Sequence, residues 1–245
     1  MLLKNKLLLL LFLLISASNL SCQSFGGAKK FLDEAKKLTK SDKLTESDAV
    51  SGIKEALTQG ISKGTDIVSR MDGYFKNPEI KIPFPPEAKK VEKSLRDIGM
   101  GSEVDKVVVT LNRAAETAAT EAKPIFVSAI KQMTVTDAIG IVKGNDGAAT
   151  DYLRRTTSVL LADKFRPVIS SSLDKVDATK YWKSVMTTYN KIPFVDKVNP
   201  DLTEYVLGKA LEGLFHMIAK EETNIRKDPV ARTTELLKKV FGGNF

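Results

Sequence analysis

The chain of 245 residues contains one cysteine, one histidine and one tryptophan. A single cysteine cannot close an internal disulfide, and one histidine cannot assemble a Cys/His zinc shell, so a disulfide scaffold and a multi-Cys/His zinc site are both excluded. Enzyme signatures are scarce as well. No Walker loop, no Gly-x-Gly-x-x-Gly behind a strand, no Gly-x-Ser-x-Gly elbow and no His-Glu-x-x-His is present. Serine, threonine and cysteine nucleophiles lack an evident base, because His216 sits among Phe215, Met217 and Ile218, and no cofactor is expected. Beyond residue 15, no apolar run approaches the roughly 20 residues of a transmembrane helix. Alternating strand patterns are nearly absent too.

What is there supports a folded, helical chain. Hydrophobic residues make up 42% and charged residues 28%, enough to bury a core in one large or two small domains. The net charge is +8, but the basic residues are spread along the chain among 30 acids. That pattern describes a solvated surface rather than a nucleic-acid footprint, and no nucleic-acid partner is expected.

The amino terminus has the three-part layout of an export signal. Lys4 and Lys6 stand without an acid, residues 7–15 form an unbroken apolar run, and residues 16–21 are mostly small and polar. Residues 1–21 are therefore read as a lipoprotein-type signal peptide, and its removal lowers the net charge from +8 to +6. Cys22 follows directly in "NLSC", which resembles a lipobox at Ser21 but departs from it at Asn19 and Leu20. Lipidation of Cys22 is the expected role; a free thiol after ordinary cleavage, and a buried structural cysteine, are the alternatives. Residues 22–43, with six lysines and three acids, read as a flexible tether. Its lysines could lie on anionic headgroups.

Residues 44–245 are expected to form a single all-α domain, a multi-helix bundle. Val50, Ile53, Leu57, Ile61, Gly64, Ile67, Met71 and Tyr74 recur at helical spacing behind a Thr45/Asp48 capping pair. Four prolines in residues 77–87 then predict an extended linker. Ser102 to Ala122 carries an alanine-rich stripe, Thr134 and Asp137 form a second capping pair, and Asp146 is a candidate cap for the helix that follows. Pro167 predicts a kink or break in that helix. Further helices are expected at residues 178–190, 200–222 and 229–241, with Asp228 and Gly242 as the start and stop signals of the last.

The strings "LNRAAETAAT", "MTVTDAIG", "GNDGAATDYL" and "IRKDPVAR" resemble the bacterial family catalogued as domain of unknown function 4197, over about residues 44–242. The resemblance implies an export or lipoprotein signal ahead of a helical domain, and hence an envelope location. It supplies no reaction and no catalytic residues.

Candidate polar clusters fall in three places. Asn112, Arg113 and Glu116 lie beside the alanine stripe, either lining a cleft or pairing on the surface. Glu212 and His216 stand four apart on one helix, where a carboxylate could orient an imidazole, although a structural histidine is the simpler reading. Glu222, Arg226 and Arg232, with Glu221 and Asp228, crowd the turn before the last helix. They would either lock that corner or hold a phosphate or carboxylate. Two function classes follow. One is a non-enzymatic envelope lipoprotein, outer-membrane anchored and facing the periplasm, that binds a partner protein or an apolar ligand such as a lipid. The other is an enzyme with an unusual carboxylate/arginine site.

Overall fold

The computed structural model describes residues 45–175, 182–183, 186–187, 189–191, 193–194, 197, 199 and 201–242. The expected signal and tether and Cys22 lie outside the described residues, as does most of the helix expected at 178–190.

The described residues are all-α, as the periodicity predicts, with no strand among them. The helices are α1 (Glu46–Ser69), α2 (Lys89–Asp97), α3 (Gly101–Ala119), α4 (Ala122–Gln132), α5 (Val135–Lys143), α6 (Ala148–Asp174), α7 (Leu202–Lys227) and α8 (Glu235–Gly242). Both capping boxes form. The Thr45 hydroxyl accepts from the Asp48 amide at 3.1 Å while the Asp48 carboxylate accepts from the Thr45 amide at 3.0 Å, and Thr134 and Asp137 repeat the exchange at the head of α5. The long helices α1, α3, α6 and α7 make the bundle, with α7 packed on α1, α3 and α6. Ala114, Ala115, Ala118 and Ala119 of α3 are fully buried, their short side chains letting backbones approach closely. No single described helix is long and apolar enough to cross a membrane.

Several expectations need correction. Helix α1 stops at Ser69 rather than running on toward Asn77. Asp72 takes a left-handed φ of 68°, and a Cβ on Gly73 would strike the Ile67 carbonyl oxygen, so the chain turns there and leaves Met71 78% exposed. The proline-rich stretch carries no helix over residues 81–85, in keeping with the extended linker expected there, and Ile80, Ile82 and Phe84 are buried in the main core. Residues 86–88 form a 3-10 turn leading into α2, a helix that the sequence pattern does not predict. The alanine helix α3 ends at Ala119 rather than Ala122, and Ala122 already belongs to α4. Helix α7 continues to Lys227, and the last helix starts only at Glu235, after a 3-10 turn at Pro229–Ala231 that Asp228 caps. Helix α6 runs through Pro167 without a break; Pro167 and Asp163 are both exposed, so water can reach the carbonyl that proline leaves unbonded.

One close approach ties the turn to the bundle. A Cβ at Gly213 of α7 would stand 2.6 Å from the Tyr74 ring and 3.1 Å from the Ile80 Cβ. Gly213→Ala is therefore expected to destabilise the fold by about 1–3 kcal/mol through overpacking, read as a lowered urea midpoint with an unchanged slope.

Candidate functional site

The first candidate cluster is buried rather than superficial. Asn112 and Glu116 are 0% and 3% exposed, and both face the chain between α1 and α2. The Asn112 side chain acts as a peptide unit would: its oxygen accepts from the Ile82 amide at 2.9 Å, and its nitrogen donates to the carbonyls of Ile82 and Val108, each at 2.8 Å. Glu116 accepts from the amides of Tyr74 and Phe75 at 3.0 and 3.1 Å and from Arg113 at 2.6 Å. Arg113 reaches on to Asp72 and lies over the Phe75 ring at 5.6 Å.

These bonds answer a physical need. A segment without helix or strand carries backbone donors and acceptors that must be satisfied when it is buried, and α3 supplies the partners from its side chains. The neighbouring groups respond electrostatically. Lys76 and Arg113, both hydrogen-bonded to Asp72, hold its carboxyl below the usual carboxylate range. Burial, reinforced by Glu116, pushes the Tyr74 phenol well above its ordinary value, so it stays protonated and donates to the Ala210 carbonyl at 2.6 Å. Burial and the nearby Glu87 and Glu212 push Tyr205 up to about 12, and its hydroxyl donates to the Pro83 carbonyl at 3.1 Å.

The second cluster separates. Glu212 is exposed and pairs with Lys209 at 2.7 Å. His216, with a side chain 52% exposed, lies outside the core, and its Nε2 is 3.1 Å from Glu79, which also binds Lys220 at 2.7 Å. One helical turn puts residues 212 and 216 on one stripe, but that stripe faces solvent, and each side chain finds a nearer charged neighbour.

The third cluster is a lock. Glu222 accepts from the amides of Ala149 and Thr150 at 3.0 and 2.9 Å and from the Thr150 hydroxyl at 2.7 Å. It thus caps the start of α6 from another helix, where the sequence suggests Asp146; Asp146 instead pairs with Lys227. Arg226 binds Glu222 and the Ile141 carbonyl, each at 2.9 Å. Arg232 donates to the carbonyls of Ile225 and Arg226 at 3.1 and 2.7 Å, closing the end of α7. Glu221 pairs outward with Lys63.

Beside this lock lies a partly open, mostly apolar slot of about 20 Å³, roughly the size of one water, which Glu222 and Arg226 also line. Its walls include Ile53, Leu57 and Ile61 of α1, Ile218 and Ile225 of α7, and Phe241 of α8. A larger, open cleft of about 580 Å³ runs past Arg70, Asp72 and Lys76. Among the described residues, no group of three His, Cys, Asp or Glu side chains is placed to hold a metal ion.

The match to known families covers the helical domain and the two polar networks together. Residues 43–242 fit the model of the protein family of unknown function DUF4197. The chain belongs to this family. No curated protein and no solved structure matches it. The family's extent therefore spans Thr45 of the first capping box through Phe241 of the slot.

Sequence reasoning misses Asp72, Tyr74, Glu79, Lys63 and Thr150, which complete these networks from distant positions. One signal is present for the buried segment. In "IKIPF" the apolar residues alternate, the mark of an extended stretch with one buried face.

Proposed function

We propose that this protein is a cell-envelope lipoprotein, held by a lipid on Cys22 and facing the periplasm from the outer membrane, whose helical domain is a non-enzymatic binding module for an apolar ligand or a partner protein. The observation that carries the binding role is the use of the candidate polar residues. Asn112, Arg113 and Glu116 hold the 70–85 segment, and Glu222, Arg226 and Arg232 join helix ends. Glu212 and His216 stand apart in solvent. Among the described residues, every buried side-chain nitrogen and oxygen has a partner within the fold. Catalysis by acids and bases needs groups converging on one opening, and these converge on backbone. Binding by apolar surface between helices asks for no such convergence.

The anchor is supported by the apolar run, the small residues and the single cysteine that follows them. Gln23 after Cys22, rather than an aspartate, supports the outer membrane. Intact-mass measurement of membrane-extracted protein is expected to show an acylated Cys22, and the Cys22→Ala variant is expected to leave the membrane fraction. An unmodified cysteine, or a variant retained as well as the parent, would overturn the anchor. Native mass spectrometry of the mature chain tests the binding role through a co-purifying lipid.

A further inference from the structure

We propose that the cleft beside the turn after α1 is an anion site that takes a phosphate group, with Arg70 and two backbone amides of the turn as its donors. The site goes beyond the binding role argued above and depends neither on an apolar ligand nor on the Cys22 anchor. Three observations lead to it.

The space is of ligand size. The open cleft of about 580 Å³ is lined by Arg70, Met71, Asp72 and Lys76, within the roughly 300–1,000 Å³ of small-molecule sites. A second opening, of about 500 Å³, shares Ile67 and Arg70 with it. Arg70 therefore stands between the two. The second opening also presents Thr58, Gln59 and Ser62, hydroxyl and amide groups suited to the polar body of a phosphate ester.

The charges leave one cation over. Asp72 is held by Lys76 and Arg113, and Arg113 also holds Glu116. Around the second opening, Lys63 pairs with Glu221 and Asp66 with Lys123. Arg70 is exposed, and among the described residues its side chain has neither an ion pair nor a hydrogen bond. Its planar fork of N–H donors matches two oxygens of a phosphate at once.

The turn adds donors of its own. The Gly73 amide donates to the Arg70 carbonyl at 2.9 Å, closing a four-residue turn with Asp72 at a left-handed φ of 68°. The amides of Met71 and Asp72, which both line the cleft, have no acceptor among the described residues. Consecutive free N–H groups in such a turn are the donors of backbone anion cradles. A non-glycine residue at positive φ is also a strained position of the kind that clusters at ligand sites. Here the strain is held from behind, by Lys76 and Arg113 on Asp72 and by Glu116 on the amides of Tyr74 and Phe75. The donors are thus fixed before an anion arrives, which lowers the ordering cost of binding.

The test uses the mature chain carrying Cys22→Ser, titrated with glycerol phosphate and, as the uncharged control, glycerol. Saturable binding of glycerol phosphate is expected, and none of glycerol. Arg70→Gln is expected to weaken it about tenfold, the loss of one charge-assisted pair, without moving the urea midpoint. Lys164→Gln removes the same charge from an exposed position on α6 and should leave the affinity unchanged. In amide NMR spectra, the Met71 and Asp72 signals should shift and saturate with the ligand. Absence of saturable binding, equal weakening by Arg70→Gln and Lys164→Gln, or unmoved Met71 and Asp72 amides would each overturn the proposal. Phosphatidylcholine vesicles with and without phosphatidic acid separate the sources of the phosphate. Arg70-dependent retention on phosphatidic acid identifies a lipid headgroup; binding of glycerol phosphate without such retention identifies a soluble ester. Either upholds the site. A lipid found by native mass spectrometry bears on the apolar binding role and leaves this site to its own titration.

Discussion

Replacing Glu222 by alanine is expected to destabilise the fold by about 3–5 kcal/mol, a large share of the roughly 5–15 kcal/mol of a typical domain. Two losses coincide. The first turn of α6 loses three hydrogen bonds, from the amides of Ala149 and Thr150 and the hydroxyl of Thr150. Arg226, whose side chain is only 11% exposed, is left as a buried cation with one carbonyl partner, Ile141. A buried charge without its counter-ion is the costlier of the two. The measurement is urea unfolding followed by far-UV circular dichroism. Adding Arg226→Met to Glu222→Ala is expected to recover part of the loss, because the orphaned charge goes with it. If the double variant were as unstable as the sum of the singles, the two side chains would be acting independently.

Glu116→Ala is the second large effect, at about 3 kcal/mol. Its carboxylate, 5% exposed, satisfies two amides of a turn that has no ladder or helix to satisfy them. The consequence is local as well as global. The amides of Tyr74 and Phe75 should exchange with solvent faster in Glu116→Ala, while the α6 amides keep their rates. Glu116→Gln keeps the one oxygen that accepts from both amides and loses the ion pair with Arg113, so it should fall between parent and alanine variant. Faster exchange spread evenly over the bundle would contradict the assignment of Glu116 to this turn.

Local features are legible from residue order alone. The two capping boxes need only residues three apart, and the alanine stripe of α3 needs only helical spacing, so sequence order contains both. Proline signals are less reliable as boundaries. The break that Pro167 allows does not occur, because Pro167 sits on the solvent face of α6, where water can reach the carbonyl left unbonded. Four prolines in residues 77–87 predict an extended linker, and the tertiary structure adds that Ile80, Ile82 and Phe84 bury their side chains. A cluster of prolines favours extended chain; it does not decide whether that chain lies inside or outside.

The polar candidates divide the same way. Glu212 and His216 are neighbours by spacing, but which face of α7 is buried depends on what packs against it, and their face is open. Glu222 and Arg226, four residues apart, are within reach of each other by helical spacing, whereas the capping of α6 by Glu222 joins positions more than 70 residues apart. Asp72 and Glu116 are likewise distant along the chain and are bridged by Arg113 in the same manner.

By itself, then, the sequence determined the helical class, the two capping boxes and the family, because each depends on residues close along the chain or on composition. Only the tertiary structure decided that the proline segment is core, that Asn112 bonds its backbone and Glu116 that of the turn before it, and that Phe241 of α8 lines a small apolar slot. Those facts depend on desolvation, and whether a group loses its water is set by what the rest of the chain places over it.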